Sequence, residues 1–303
     1  MEQKKICRLF IAFFALLNII FLLLYYVQYG GSGRLDEEFA QNVVKNLSDR
    51  GIKISQNEIV MKVPDNSIYT FEITDKNDYC DKLAKKLAGF LFDCETENVY
   101  FDVPDGISVS IYDKNYVDSP TELAKLLINP DTFYFQYTDS EYSLSEPLST
   151  DEISALKVKI SADEQKAVSD FANALCFGDC SWYITGSDVT DDGIVITLKQ
   201  STSGTSIDGA YMNVELWNTR VIAACGTWIT EDIKERYYNP LLDGINVLYK
   251  LDLDNISAIN YEKIVYSVRN LDKKTYYLLP VWEISCLDNN GKTQIFHIDA
   301  LEE

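Results

Sequence analysis

The chain has a single histidine, His297, so any Ser–His or Cys–His nucleophile pair would have to be built on that one imidazole. Metal sites with several histidines cannot form from it. His297 stands in the strand-like run Phe296-His297-Ile298, where alternation puts it on the face of Ile295 and Asp299, as a surface imidazole. Ser154-Ala-Leu-Lys157 has the S-x-x-K spacing of serine–lysine acyl transfer, but neither K-T-G nor S-D-N occurs anywhere, and the match reads as chance. Asp252-Leu-Asp254-Asn255 and Asp188-x-x-Asp191-Asp192 offer oxygen ligands for calcium, yet lack the EF-hand placement of glycine and closing glutamate. Turn chemistry accounts for both. No phosphate-binding glycine loop is present, and the glycines cluster only at Gly30-Gly31-Ser32-Gly33. These residue types point away from catalysis, and no cofactor or metal is expected.

Cysteine chemistry stays open. Cys80, Cys94, Cys176, Cys180, Cys225 and Cys286 follow Cys7, an even set that permits disulfides in an exported chain. Their spacing contains no Cys-x2-Cys metal signature, and buried thiols fit the sequence equally well.

The element that would position everything else is Leu9–Val27, LFIAFFALLNIIFLLLYYV, an uncharged run long enough, at roughly 1.5 Å per residue, to cross a hydrocarbon core. Lys4, Lys5 and Arg8 precede it and Asp36, Glu37 and Glu38 follow, so residues 1–8 are expected in the cytoplasm and the rest outside. Tyr25, Tyr26 and Tyr29 suit the headgroup layer, which sets the anchor at 9–29. A cleaved signal peptide would have a shorter apolar core and a small-x-small site, where this chain has Leu-Leu-Leu-Tyr-Tyr. Asn18 lies at the centre of the span, where an amide favours a partner helix.

Beyond the anchor the composition is that of a packed protein, 47% hydrophobic and 13% aromatic. The formal net charge of −20 argues against nucleic acid, anionic lipid and polyanionic wall polymer as ligands, and favours basic surfaces or cations.

In order, residues 30–35 read as a flexible tether, and Asp36 as the cap of a helix to Arg50 that stops at Gly51. Strands are expected at Ile59–Val63 and Ile68–Thr74, a helix at Tyr79–Phe92, and strands at Val99–Val103 and Ile107–Tyr112 around Pro104-Asp105-Gly106. A helix at Glu122–Ile128 and a strand at Thr132–Tyr137 complete a first module, 36–145. The polar stretch 138–160 reads as the boundary before a second module, 152–303. That module opens on the capping box Ser161-Ala-Asp-Glu164. Strands at Trp182–Gly186, Ile194–Lys199, Tyr211–Trp217 and Val221–Ile229 follow, the last pair turning at Asn218-Thr219. Asn239 and Pro240 should start a helix through Leu241, Ile245, Leu248 and Tyr249. Strands at Ile259–Val268, Tyr276–Leu287 and Thr293–Asp299 close the chain, the final turn being Asn289-Asn290-Gly291. The fold class expected is α+β: an N-terminal transmembrane helix followed by two modules, each with helices packed on an antiparallel sheet.

Lys5 with Phe10-Ile11-x-x-Phe14-x-x-Leu17-Asn18-x-x-Phe21-Leu22-Leu23 resembles the anchor of the YycI proteins. Tyr277-Leu-Leu-Pro280-Val-Trp282-Glu-Ile284, the turn at Gly291, Ile298-Asp299-Ala300 and the helix Leu241–Leu251 resemble their C-terminal region. The resemblance implies a YycI/YycH-type, single-span extracytoplasmic regulator of a membrane sensor histidine kinase, WalK (YycG), in a Gram-positive two-component system. It also implies a second YycH-like anchored protein as a further partner, and no catalytic residues. Transmembrane contact with the kinase would fall on Asn18, flanked by Phe14, Leu17 and Phe21. Pro-x-Trp endings also occur in PepSY-like modules, so an extracytoplasmic peptide- or protein-binding module is the alternative.

Overall fold

A computed structural model describes residues 32–54, 67–115, 121–142, 144, 146–176, 178–238, 241–270 and 274–301. The fold is mixed α and β and mostly sheet. Among the described residues no helix is long and apolar enough to cross a membrane, and the expected span, 9–27, lies outside them. The expected strand Ile59–Val63 and the cap Asn239-Pro240 also lie outside. Two compact units interleave in sequence: one holds residues up to 66 with 239–263 and 281–303, the other 67–238 with 264–280.

The first unit carries helix α1 (Ser32–Asp49), which starts four residues ahead of the expected Asp36 cap and buries Ala40, Val43 and Leu47. It stops at Gly51, whose φ of +85° suits a residue without Cβ. Ile52 N–H then donates to Leu47 C=O at 2.9 Å and Gly51 N–H to Ser48 C=O, a Schellman closure. Lys53 continues as a parallel bridge beside Ala258. Strand β12 (Thr275–Asp288) pairs antiparallel with β13 (Thr293–Asp299) from Val281↔Asp299 to Leu287↔Thr293, around the turn at Gly291 with φ +77°. Trp282 is fully buried here and its indole N–H donates to Leu242 C=O at 2.9 Å. The helix expected from Leu241 to Leu251 is only one turn, Gly244–Leu248, capped by Asp243, whose carboxylate accepts from Asn246 N–H at 2.8 Å. Leu241 instead bridges Leu301, with Leu242 N–H donating to Ala300 C=O.

The second unit is built on β1 (Ser67–Glu72), β2 (Thr96–Val103), β3 (Gly106–Asp113), β4 (Glu122–Asn129), β5 (Tyr134–Asp139), β6 (Cys180–Val189), β7 (Ile194–Thr202), β8 (Thr205–Trp217), β9 (Arg220–Thr227), β10 (Lys234–Tyr238) and residues 264–270 of β11 (Ile256–Asn270), with 275–280 of β12. Its order is β10-β1-β12-β11-β8-β9-β5-β4-β3-β2, with β7 also pairing β8 and β6 pairing β7. Neighbours from β2 to β9, and β6 to β8, are antiparallel; β11 joins β8 in parallel at Tyr266↔Ile207.

One correction and one further strand fall in this unit. Glu122–Ile128 is a strand, because Ala124, Leu126 and Ile128 alternate into the core between β3 and β5 despite a helix-favouring composition. Lys234–Tyr238, a strand not anticipated above, pairs with β1.

Cross-strand rows separate the two faces. One row runs Tyr100–Val109–Leu126–Tyr137–Ala224–Val214–Ile196, buried from Val109 onward. Helices α2 (Lys76–Leu91) and α3 (Ala162–Leu175) cover this face, with Leu83, Leu87, Phe171 and Leu175 in the same core. α3 begins at the expected capping box: Glu164 N–H donates to Ser161 Oγ, and Ser161 N–H to Glu164 Oε2 at 2.7 Å. The adjacent row, Phe101–Ser108–Leu127–Gln136–Cys225–Asn213–Thr197, points the opposite way and is largely polar. Burying Asn213 and Thr197 completely requires partners for both, which locates the site below.

Candidate functional site

The partners come from residues 146–158, a strap laid over the polar face. Asn213 Nδ2 donates to Ser149 C=O at 2.7 Å and Asp151 C=O at 2.8 Å, while Asn213 Oδ1 accepts from Thr197 Oγ1 at 2.6 Å. Ile153 N–H donates to Thr197 Oγ1, and Tyr211 O–H to Thr150 C=O at 2.8 Å. The strap then pairs with β6: Ser187 N–H donates to Ala155 C=O at 3.1 Å and Lys157 N–H to Ser187 C=O at 2.9 Å, a parallel bridge at Leu156. Gly186 permits this approach, since a Cβ there would stand 2.0 Å from Ile153 C=O.

Between the strap and the β6–β7 turn lies a cleft of about 440 Å³, lined by Glu146, Asp151, Asp188, Asp191, Asp192 and Glu215 among others. Glu215 is 2% exposed. It shares a cross-strand row with Val195 and Asp188, which places it on the strapped face. Thr190 O–H donates to its carboxylate and accepts from Gly193 N–H at 2.9 Å, so one threonine joins the turn to the floor. Burial pushes the Glu215 carboxyl above the usual range, and the charge of Asp192 adds to this against the Thr190 hydrogen bond. The wall is acidic as well, although Lys157 pairs with Asp188 at 2.7 Å. A concave acidic surface with a buried carboxylate suits an ammonium or guanidinium group.

Of the residues singled out in the sequence, Asp188, Asp191 and Asp192 come together in this cleft, Asp188 near the end of β6 and the other two in the turn after it, without a calcium-loop arrangement. Lys157 of the S-x-x-K match is engaged by Asp188. Asp252 Oδ1 accepts from Asp254 N–H at 3.2 Å, as turn chemistry requires. His297 is a surface residue, its Nε2 3.6 Å from Glu283 Oε2. The six cysteines after Cys7 are free thiols, with Cys80, Cys225 and Cys286 buried. The partner-helix residues Phe14, Leu17, Asn18 and Phe21 lie outside the described residues. Sequence reasoning missed Glu215 and Asn213: both sit in an apolar strand, where a polar residue on the non-helix face was the available signal.

No family model matches the chain, and no curated protein matches it. Among solved structures, the chain is similar to an uncharacterized protein from Eubacterium rectale, with 13% identity, TM-score 0.45 and coverage of 78% of this chain and 84% of that one. It is also similar to the Bacillus megaterium YpeB C-terminal domain, with 16% identity, TM-score 0.33 and coverage of 76% and 94%.

Proposed function

We propose that this chain is a non-enzymatic, membrane-anchored binding protein whose sheet-rich part, outside the cell, holds a cationic segment of a partner protein in the strapped acidic cleft. The observation that carries this is Glu215, a carboxylate buried on the cleft floor beside further acidic side chains. Burying a carboxylate costs free energy that an incoming cation offsets. The anchor rests on the uncharged run 9–27 and its flanking charges.

A second reading is favoured by Asn18, the strongly polar residue at the centre of that run. On it, the chain regulates a sensor histidine kinase of the WalK (YycG) type through Asn18, Phe14, Leu17 and Phe21, as the YycI/YycH resemblance implies. One experiment separates the two when a sensor histidine kinase is taken as the partner in both: co-purification of the full-length protein with that kinase from membranes, alongside a reporter of the kinase's target genes. Loss on Asp188→Asn/Asp191→Asn/Asp192→Asn, with Asn18→Leu unaffected, supports the cleft. Loss on Asn18→Leu or on swapping the span for an unrelated apolar helix, with the cleft variant unaffected, supports helix contact and overturns the cleft reading.

A further inference from the structure

Strand β2 ends its sheet, and among the described residues no strand pairs with its outer side. An edge strand keeps alternate backbone N–H and C=O groups unpaired, and proteins usually blunt such edges with lysine, proline, a bulge or shortness. β2 has no lysine, proline or bulge and is not short, and the charges it carries, Glu97 and Asp102, are both acidic. It runs eight residues, TENVYFDV, in unbroken register with β3 from Thr96↔Asp113 to Val103↔Gly106.

Its two faces differ in chemistry. On the helix side, Tyr100 and Asp102 line a pocket of about 400 Å³ with Asn77, Asp81 and Ile107. Tyr100 O–H donates to Asp81 Oδ1 at 2.5 Å. Lys85 and Tyr100, both donating to Asp81, hold its carboxyl below the usual range, so it stays charged. On the other side Phe101 is 52% exposed, next to Val99 and Val103 at alternate positions. Glu95, Glu97, Asp102 and Asp105 surround the edge, so two copies pairing β2 to β2 would bring like charges together.

We propose that the β2 edge takes up an extended segment of a partner protein in which basic and apolar residues alternate, added as a further strand. Main-chain hydrogen bonds along β2 supply the attachment. Basic side chains of the segment enter the pocket of Asp81 and Asp102, and its apolar side chains lie against Phe101 and Val99. This surface is separate from the strapped cleft, and the inference does not rest on the function proposed for it.

The test uses the full-length protein in nanodiscs of zwitterionic lipid, which do not themselves attract lysine, and a fluorescent peptide of alternating valine and lysine matched in length to β2. Fluorescence anisotropy should show saturable binding. Glu97→Lys/Asp102→Lys should weaken it at least about tenfold, as should N-methylation of alternate peptide amides. The peptide with glutamate for lysine should not bind. Phe101→Ser, at an exposed position and checked for an unchanged thermal melt, should weaken binding as well. Asp188→Asn/Asp191→Asn/Asp192→Asn should leave it unchanged, separating this edge from the cleft. Absence of saturable binding, or binding that survives both N-methylation and charge reversal, overturns the proposal. So does a dimer in light scattering that Glu97→Lys/Asp102→Lys dissolves, which would make the occupant a second copy of the chain.

Discussion

Thr197 Oγ1 donates to Asn213 Oδ1 at 2.6 Å between two fully buried side chains, and this bond leaves both Asn213 amide hydrogens directed at the strap. They reach Ser149 and Asp151. One carboxamide thus ties two strands to a segment more than sixty positions before it in sequence. Asn213→Ala would take the acceptor from the buried Thr197 hydroxyl and a donor from two carbonyls, Ser149 C=O keeping only Cys225 Sγ at 3.3 Å, at a cost of about 3 kcal/mol. Chemical denaturation should show that loss, with protease cleavage between 146 and 158 rising more than cleavage elsewhere. Asn213→Asp, which keeps the acceptor but loses both donors, should also loosen the strap. An unchanged cleavage pattern in both variants would separate Asn213 from strap closure.

Glu215 makes stability depend on pH. Its folded carboxyl is raised above the unfolded value by burial, so the folded state holds the proton more tightly. Stability from this group is therefore fully present below the unfolded pKa and falls as pH rises through the folded one. Glu215→Gln keeps an oxygen for Thr190 and removes the charge. Its melting temperature should exceed that of the parent at neutral pH and converge with it in acid. Parallel curves across that range would count against the raised carboxyl.

Arg220 Nη2 lies 2.7 Å from Asp139 Oδ2, and the Asp139 side chain is 1% exposed, whereas Arg220 is partly solvated. The Glu141 carboxylate holds the other guanidinium nitrogen at 2.8 Å. Arg220→Met would leave Asp139 a buried charge without its cation and should cost about 3 kcal/mol. Glu141→Gln, on the exposed arm, should cost less than about 1 kcal/mol. Denaturation midpoints of the two variants measure the contrast.

Trp282 is enclosed on all sides and its indole nitrogen is satisfied by Leu242 C=O. Trp282→Ala should cost about 3–5 kcal/mol in thermal unfolding of the full-length protein. Trp282→Phe retains most of the volume and orphans the carbonyl, so it should fall between. A melt unchanged by the alanine variant would remove this residue from the core.

Much of the architecture could be read locally. The Ser161–Glu164 box and the Asn218-Thr219 turn, with φ of 46° and 70°, are contained within a few residues. Glu122–Ile128 could not be read that way: glutamate, leucine, alanine and lysine favour helix, and only the flanking strands make its alternation decisive. The helix after Asn239 is short because Leu241 and Leu242 are taken by Leu301 and Ala300, about sixty residues on. The cleft was legible in part. Asp188, Asp191 and Asp192 attract notice as a cluster, but Glu215 reaches them only through strand pairing. The strap was not legible, since a polar stretch whose bonds are made by Asn213, Thr197 and Ser187 has the composition of a linker.

The strap also fixes an order of events during biogenesis. Every side chain that pins it lies later in the sequence, from Thr185 to Cys225, and β5 pairs with β9, more than eighty positions downstream. A chain emerging from its N-terminus can close β2 to β5 by short turns, but must then wait with the outer side of β5 bare. Closing such distant pairs is slow. During that interval β5 is a template for other nascent chains, so this protein should depend on a holding chaperone until the residues of β9 have emerged.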